Sequence, residues 1–180
     1  VVEITGQKEI GVRMHWLCYN NQSPFLLEQA GFGYDATLGY NETIGFRNGT
    51  LQVFQPIGVN RLLEIPLNIQ DTALFFPGRL NLQDADAAKL CNKLIDSADF
   101  HGGVLTASWH ERSLEPERVW GNLYKWLLEE SQARGAWIGN ASQVVACFRH
   151  RRSIALKECN LVDGKFMIDI VGDASASEDR

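Results

Sequence analysis

Apolar and polar positions along this chain switch between a period near two and one near 3.6, and each switch marks an element. Residues 9–17 read as a strand with polar groups at its carboxyl end. Ser23 and Pro24 suit the cap and first position of a short helix over 25–30, with Gly31 as its left-handed terminator. Residues 32–40 are strand-like again. No period persists over 41–60, and a loop of that length inside a compact domain is more often functional than idle. Strand character returns over 61–76, where Pro66 points to an edge or a bulge.

The clearest helix covers 81–100, because Ala87, Leu90, Cys91, Leu94, Ile95 and Ala98 fall on one face. A short apolar strand follows over 103–108 and ends at Trp109-His110. Ser113 and Pro116 then start a helix running to Ala133, with Val119, Leu123, Trp126 and Leu127 as its buried stripe and Gly135 at its end. Residues 136–139 read as a strand, with Trp137 packed in the core. Ser142 caps a helix to about Arg149. This βα repetition predicts a parallel sheet or barrel. Two alternating runs about Asp163-Gly164 over 154–171 predict a hairpin, and 174–180 a disordered tail.

Composition narrows the class. The chain has 180 residues, 45% of them hydrophobic, which suits one domain or one and a fragment. Seventeen basic against 22 acidic residues give a net charge of −5. That argues against nucleic acid or an anionic membrane as partner, since both demand a basic face. No run approaches the ~20 apolar residues of a membrane span, and no signal peptide is visible. Cys18, Cys91, Cys147 and Cys159 have no CxxC spacing and read as reduced, buried small hydrophobes, which places the chain in the cytoplasm. Two disulfides are the alternative. The chain starts at Val1 without an initiator methionine, so it reads as an excerpt of a longer protein.

His110 is the first candidate for chemistry, as a general acid or base at a strand end. The competing reading is a histidine hydrogen-bonded under a loop. Arg13 and His15 lie two apart on the first strand, for carboxylate or substrate contact, or for an ion pair closing a sheet end. Asp35 either orients His110 or caps a turn. Arg47 and Asp71 complete the polar substrate-side candidates, each with a plain surface role as the alternative. Trp16, Tyr40 and Trp109 offer rings for sugar stacking. No phosphate loop, GxSxG elbow or HExxH pair occurs, and no residue is assigned to a metal.

Several short motifs in order add to this reading. Arg13 precedes an aromatic-bearing strand end; Phe32-Gly33-Tyr34-Asp35-Ala36-Thr37-Leu38-Gly39 and Gly102-Gly103-Val104-Leu105-Thr106-Ala107-Ser108-Trp109-His110 follow. Together they resemble the polysaccharide deacetylase family, the NodB homology domain, over residues 9–151. Gly45-Phe46-Arg47-Asn48-Gly49-Thr50 and Leu63-Glu64-Ile65-Pro66-Leu67 resemble a bacterial branch of it.

The resemblance implies a distorted (β/α) barrel that removes N- or O-acetyl groups from carbohydrate, a hydrolase acting on C–N bonds other than peptide bonds. A divalent metal, usually zinc, polarises the carbonyl and a water in that family. By the same resemblance Arg13 matches the arginine holding the catalytic aspartate, Asp35 the acid tuning the catalytic histidine, and His110 that histidine, proton donor to the leaving group. His15, Trp16, Arg47, Asp71 and Trp109 are then the substrate-side residues. His15 and Trp16 stand where the family has proline and an aromatic, and Ser108 where it often has leucine.

The family's base and metal ligands come from an Asp-Asp and a His-x-x-x-His motif upstream of the arginine strand, and neither occurs here. The expectation is therefore an α/β chain forming the carboxyl-terminal portion of a deacetylase-type barrel over 1–152, incomplete at its amino end, with a β-hairpin over 153–173. The metal belongs to the full-length parent and none to this chain alone, which is expected to be inactive. Its partners are a carbohydrate substrate and either a second copy or the missing half. The alternative is a non-catalytic carbohydrate-binding or structural relative.

Overall fold

In a computed structural model of the protein, residues 2–7 and 9–172 are described, so the expected tail over 174–180 lies outside the described residues. Helix α1 spans Val2–Thr5. Three short strands, β1 (Gly11–Val12), β2 (Tyr34–Asp35) and β3 (Leu63–Glu64), form a parallel sheet in that order. A second parallel sheet pairs β4 (Leu67–Gln70) with β5 (Thr106–Ser108). Strands β6 (Ala155–Val162) and β7 (Lys165–Val171) form an antiparallel hairpin. The chain is thus mixed α/β, with parallel sheets as expected, but the described strands close no barrel. They fall into two compact units divided between Ile138 and Gly139, and α6 (Ala141–Ser153) groups with the hairpin.

The strands are shorter than the sequence implies. The first stops at Val12 because the next residues turn: His15–Leu17 make a 3-10 turn in which Trp16 and Leu17 hold φ of 58° and 50°. Arg13 and His15 therefore lie in exposed loop, off the strand. Pro66 does more than bulge a strand. It separates β3 from β4, which enter different sheets. The apolar residues after β4 are helical in α3 (Asp71–Phe75), because a run this short suits either period and the Asp71 carboxylate accepts the Thr72 amide inside the first turn.

Helix α2 spans Ser23–Gln29 with Pro24 in its first turn, and Gly31 leaves it at φ 89° as expected. Ser23 is inside the helix and bonds Asn20, so it does not cap. The Glu28 carboxylate instead accepts the amides of Asn60, Arg61 and Leu62 and pins the entry to β3. Those three bonds hold its carboxyl below the usual carboxylate range.

Helix α4 (Asp84–His101) buries Ala87, Cys91, Leu94 and Ile95 against α3 and α5 (Gly121–Ala133), whose Leu123 and Leu127 join the same core. Arg134 bonds Glu130, Asp96 and Asn92, which ties the end of α5 to α4. Gly103 takes φ of 120° where a Cβ would meet the Leu51 carbonyl, and the adjacent Val104 amide bonds that carbonyl at 2.7 Å. The long loop over 41–60 is so held against β5.

Three expectations after β5 change. The helix placed at Ser113–Pro116 begins only at Gly121, because the Ser113 hydroxyl is spent on Asp71 and Val119 turns left-handed at φ 58°. Residues 136–139 form no strand, and Trp137 is 62% exposed where core packing was expected. Asn140, with Gln143 in a full capping box, starts α6 in place of Ser142. All four cysteines are free, but only Cys91 is buried; Cys18, Cys147 and Cys159 are exposed. No helix among the described residues is long and apolar enough to cross a membrane.

Candidate functional site

The polar residues of interest collect where parallel strands end. Asp35 and Glu64 are the last residues of β2 and β3, Asp71 follows β4, and His110 lies two residues past β5. Such carboxyl ends are where α/β sheets place ligands.

At the β4–β5 edge, Asp71 is fully buried and accepts four hydrogen bonds. His110 supplies two of them, from its amide at 2.7 Å and from ring Nδ1 at 2.8 Å. The Thr72 amide adds a third at 2.7 Å and the Ser113 hydroxyl a fourth at 2.5 Å. The carboxylate is a single acceptor locking the turn after β5 to the turn after β4. With Nδ1–H donated inward, the second ring nitrogen, Nε2, is the one left to exchange a proton with a ligand. The His110 side chain remains 48% exposed, so the ring is fixed on one edge and open on the other.

Asp35 does not join His110. That correction has a simple cause: β2 and β5 belong to different sheets, and Asp35 stands opposite Glu64 in the parallel register of β2 and β3. Both carboxyls are fully buried. Asp35 Oδ1 accepts the Thr37 hydroxyl at 2.5 Å, and Thr37 Oγ1 in turn accepts the Met14 amide at 2.9 Å. Glu64 Oε1 accepts the Leu38 amide at 2.9 Å. Burial, then the neighbouring Asp35 charge, push the Glu64 carboxyl up to about 9; burial raises Asp35 as well. Tyr19 stands by this pair and is raised to about 12, by burial first and then by Glu64.

The remaining candidates disperse. Trp16 is 66% exposed and edge-on to His15 at 5.7 Å. Arg47 donates to the Gly39 carbonyl at 2.8 Å and so braces its loop. Trp109 stacks on Tyr124 at 5.2 Å and donates to the Trp120 carbonyl at 3.1 Å, which makes it a support for the His110 turn. Ser113 and Glu64 are the polar residues that sequence reasoning passed over. Neither carries a local signal, since Ser113 reaches Asp71 across 42 positions and Glu64 sits in an apolar run.

Among the described residues no three His, Cys, Asp or Glu side chains are grouped to hold a metal ion. Asp71 has both oxygens committed to hydrogen bonds, so the His110 pair does not fit a metal either.

No protein-family model and no curated protein sequence matches the chain. A solved structure that resembles it is that of a protein from Mycobacterium smegmatis assigned as a polysaccharide deacetylase. The two share 22% identity with a TM-score of 0.60, over 84% of this chain and 53% of the other. The chain thus spans about half the length of that structure, and the likeness is one of fold.

Proposed function

We propose that this chain is the carboxyl-terminal portion of a deacetylase-type (β/α) barrel, with His110 as the proton donor and Asp71 as the residue that orients it. The observation carrying this reading is the His110–Asp71 pair at the carboxyl ends of two adjacent parallel strands. Asp71 keeps the Nδ1 proton in place, so the doubly protonated ring can hand its Nε2 proton to the nitrogen or oxygen departing from an acetylated sugar and be left as the Nδ1–H tautomer. A bound carboxylate acceptor on the far side of a catalytic imidazole is a recurrent arrangement for such transfer. Arg13, by the resemblance, would hold the base, and Arg47 would shape the substrate loop.

No step through a metal follows from these residues, which do not fit one. The Asp-Asp and His-x-x-x-His motifs that supply base and metal in the family are missing from this sequence. Unpaired cysteines favour a reducing, cytoplasmic setting.

The test uses a longer parent carrying those motifs, assayed for acetate release from an acetylated oligosaccharide. His110→Ala is expected to lower turnover by roughly 10²–10⁴-fold, the usual contribution of a positioned acid. Undiminished turnover would remove His110 from the mechanism. The exposed indole of Trp16 favours a second reading, sugar binding without turnover. Calorimetric binding of the same oligosaccharide, weakened by Trp16→Ala and accompanied by no acetate release, would establish that reading over the first.

A further inference from the structure

The buried carboxyls at the ends of β2 and β3 have a use separate from proton donation by His110. Asp35 and Glu64 are register partners on adjacent parallel strands, and both side chains are fully buried. Each has one oxygen bonded to a protein donor. The other oxygens, Asp35 Oδ2 and Glu64 Oε2, are buried and meet no donor at all. Two ionised carboxylates so placed would leave both oxygens unsatisfied and would repel each other in a dry setting. A single proton between them satisfies both.

We propose that Asp35 and Glu64 share one proton and thereby position the Arg13–His15 segment. The shared proton would extend an existing chain of hydrogen bonds, in which the Thr37 hydroxyl donates to Asp35 and the Met14 amide donates to the Thr37 oxygen. Met14 lies between Arg13 and His15 in an exposed stretch with two residues at positive φ close by, so an anchor from the buried layer fixes where both side chains start. The charged and titratable groups facing the pair are Tyr19 and Arg47. Arg47 draws the Glu64 carboxyl down and Asp35 draws it up, with desolvation ahead of both. Glu64 carries the proton. On deprotonation the proton passes to solvent, two anions face each other, and the Thr37–Met14 anchor is released.

The inference stands apart from the deacetylase reading, because its test needs no activity. Infrared difference spectra of the whole chain should show a protonated carboxyl band at neutral pH that Glu64→Gln removes. Amide exchange at Met14, corrected for its intrinsic base-catalysed rate, should lose protection on raising pH through about 9, by about tenfold for each unit beyond it. Glu64→Gln, whose amide donates where the acid proton did, should keep protection flat across that range. Thr37→Val should lower Met14 protection at every pH while the carboxyl band persists; this variant keeps the test decisive if Glu64→Gln folds poorly. No protonated band in the unmodified chain, or the same pH break in Glu64→Gln, would overturn the proposal.

Discussion

Asp71 shows how one buried residue decides whether a site is assembled. Its two oxygens take two amides, one ring nitrogen and one hydroxyl from two separate stretches of chain. Removing the carboxylate leaves those donors in a water-poor pocket, each costing about 1–3 kcal/mol when unsatisfied. Asp71→Ala is expected to destabilise the chain by about 3–5 kcal/mol. Ser113→Ala deletes one donor but leaves the acceptor with three, so about 1 kcal/mol is expected. Urea unfolding monitored by tryptophan fluorescence separates the two; equal losses would show that Asp71 acts through its volume and not as a shared acceptor. Sequence reading placed Asp71 in the site and gave the orienting role to Asp35. Nothing local distinguishes these aspartates, because the choice depends on which sheet each strand enters. Pro66 sets that choice by ending β3 before β4 begins.

At the level of elements, what local chemistry specifies was legible. The 3.6-period face of α4, the exit at Gly31 and the hairpin turn all appear where expected. Asp163 and Gly164 both take positive φ, 51° and 74°, as a two-residue hairpin turn demands. What was not legible depends on side chains used over a distance. Ser113 looked like a cap and serves Asp71; Ser142 looked like a cap and donates to Asn140. Asn140 itself accepts the Gln143 amide while Gln143 returns a bond to the Asn140 amide. Asn140→Ala removes the side-chain half of that box and is expected to cost about 0.5–2 kcal/mol, with Ser142→Ala near neutral. Loss of helical circular dichroism and a lower midpoint in the first variant alone would confirm the assignment. A larger loss in the second would return the cap to Ser142.

Across the whole molecule, three buried acids and the half-buried Tyr19 outweigh the usual acid-side terms. Burial first raises Glu64 to about 9, Cys91 to about 12 and Tyr19 to about 12, and raises Asp35 also. A group whose folded value exceeds its unfolded one binds a proton more tightly when folded. Its contribution is complete below the unfolded value and is lost as pH climbs through the folded one. Glu64 alone therefore tilts stability downward from about pH 4.5 to about pH 9. The slope for one proton is about 1.4 kcal/mol per unit. Cys91 extends the decline from about 9 to about 12. Glu28 works in the opposite direction: its depressed carboxyl gives stability that is lost only as pH falls below its usual value, and it is exposed and screened. The expected profile of thermal midpoint against pH thus peaks on the acid side of neutrality and falls steadily into alkali. In Glu64→Gln the segment below about pH 9 should flatten while the later decline, owed to Cys91 and Tyr19, persists. A maximum between neutrality and pH 9 in the unmodified chain would mean that the buried carboxyl pair is ionised in the folded state.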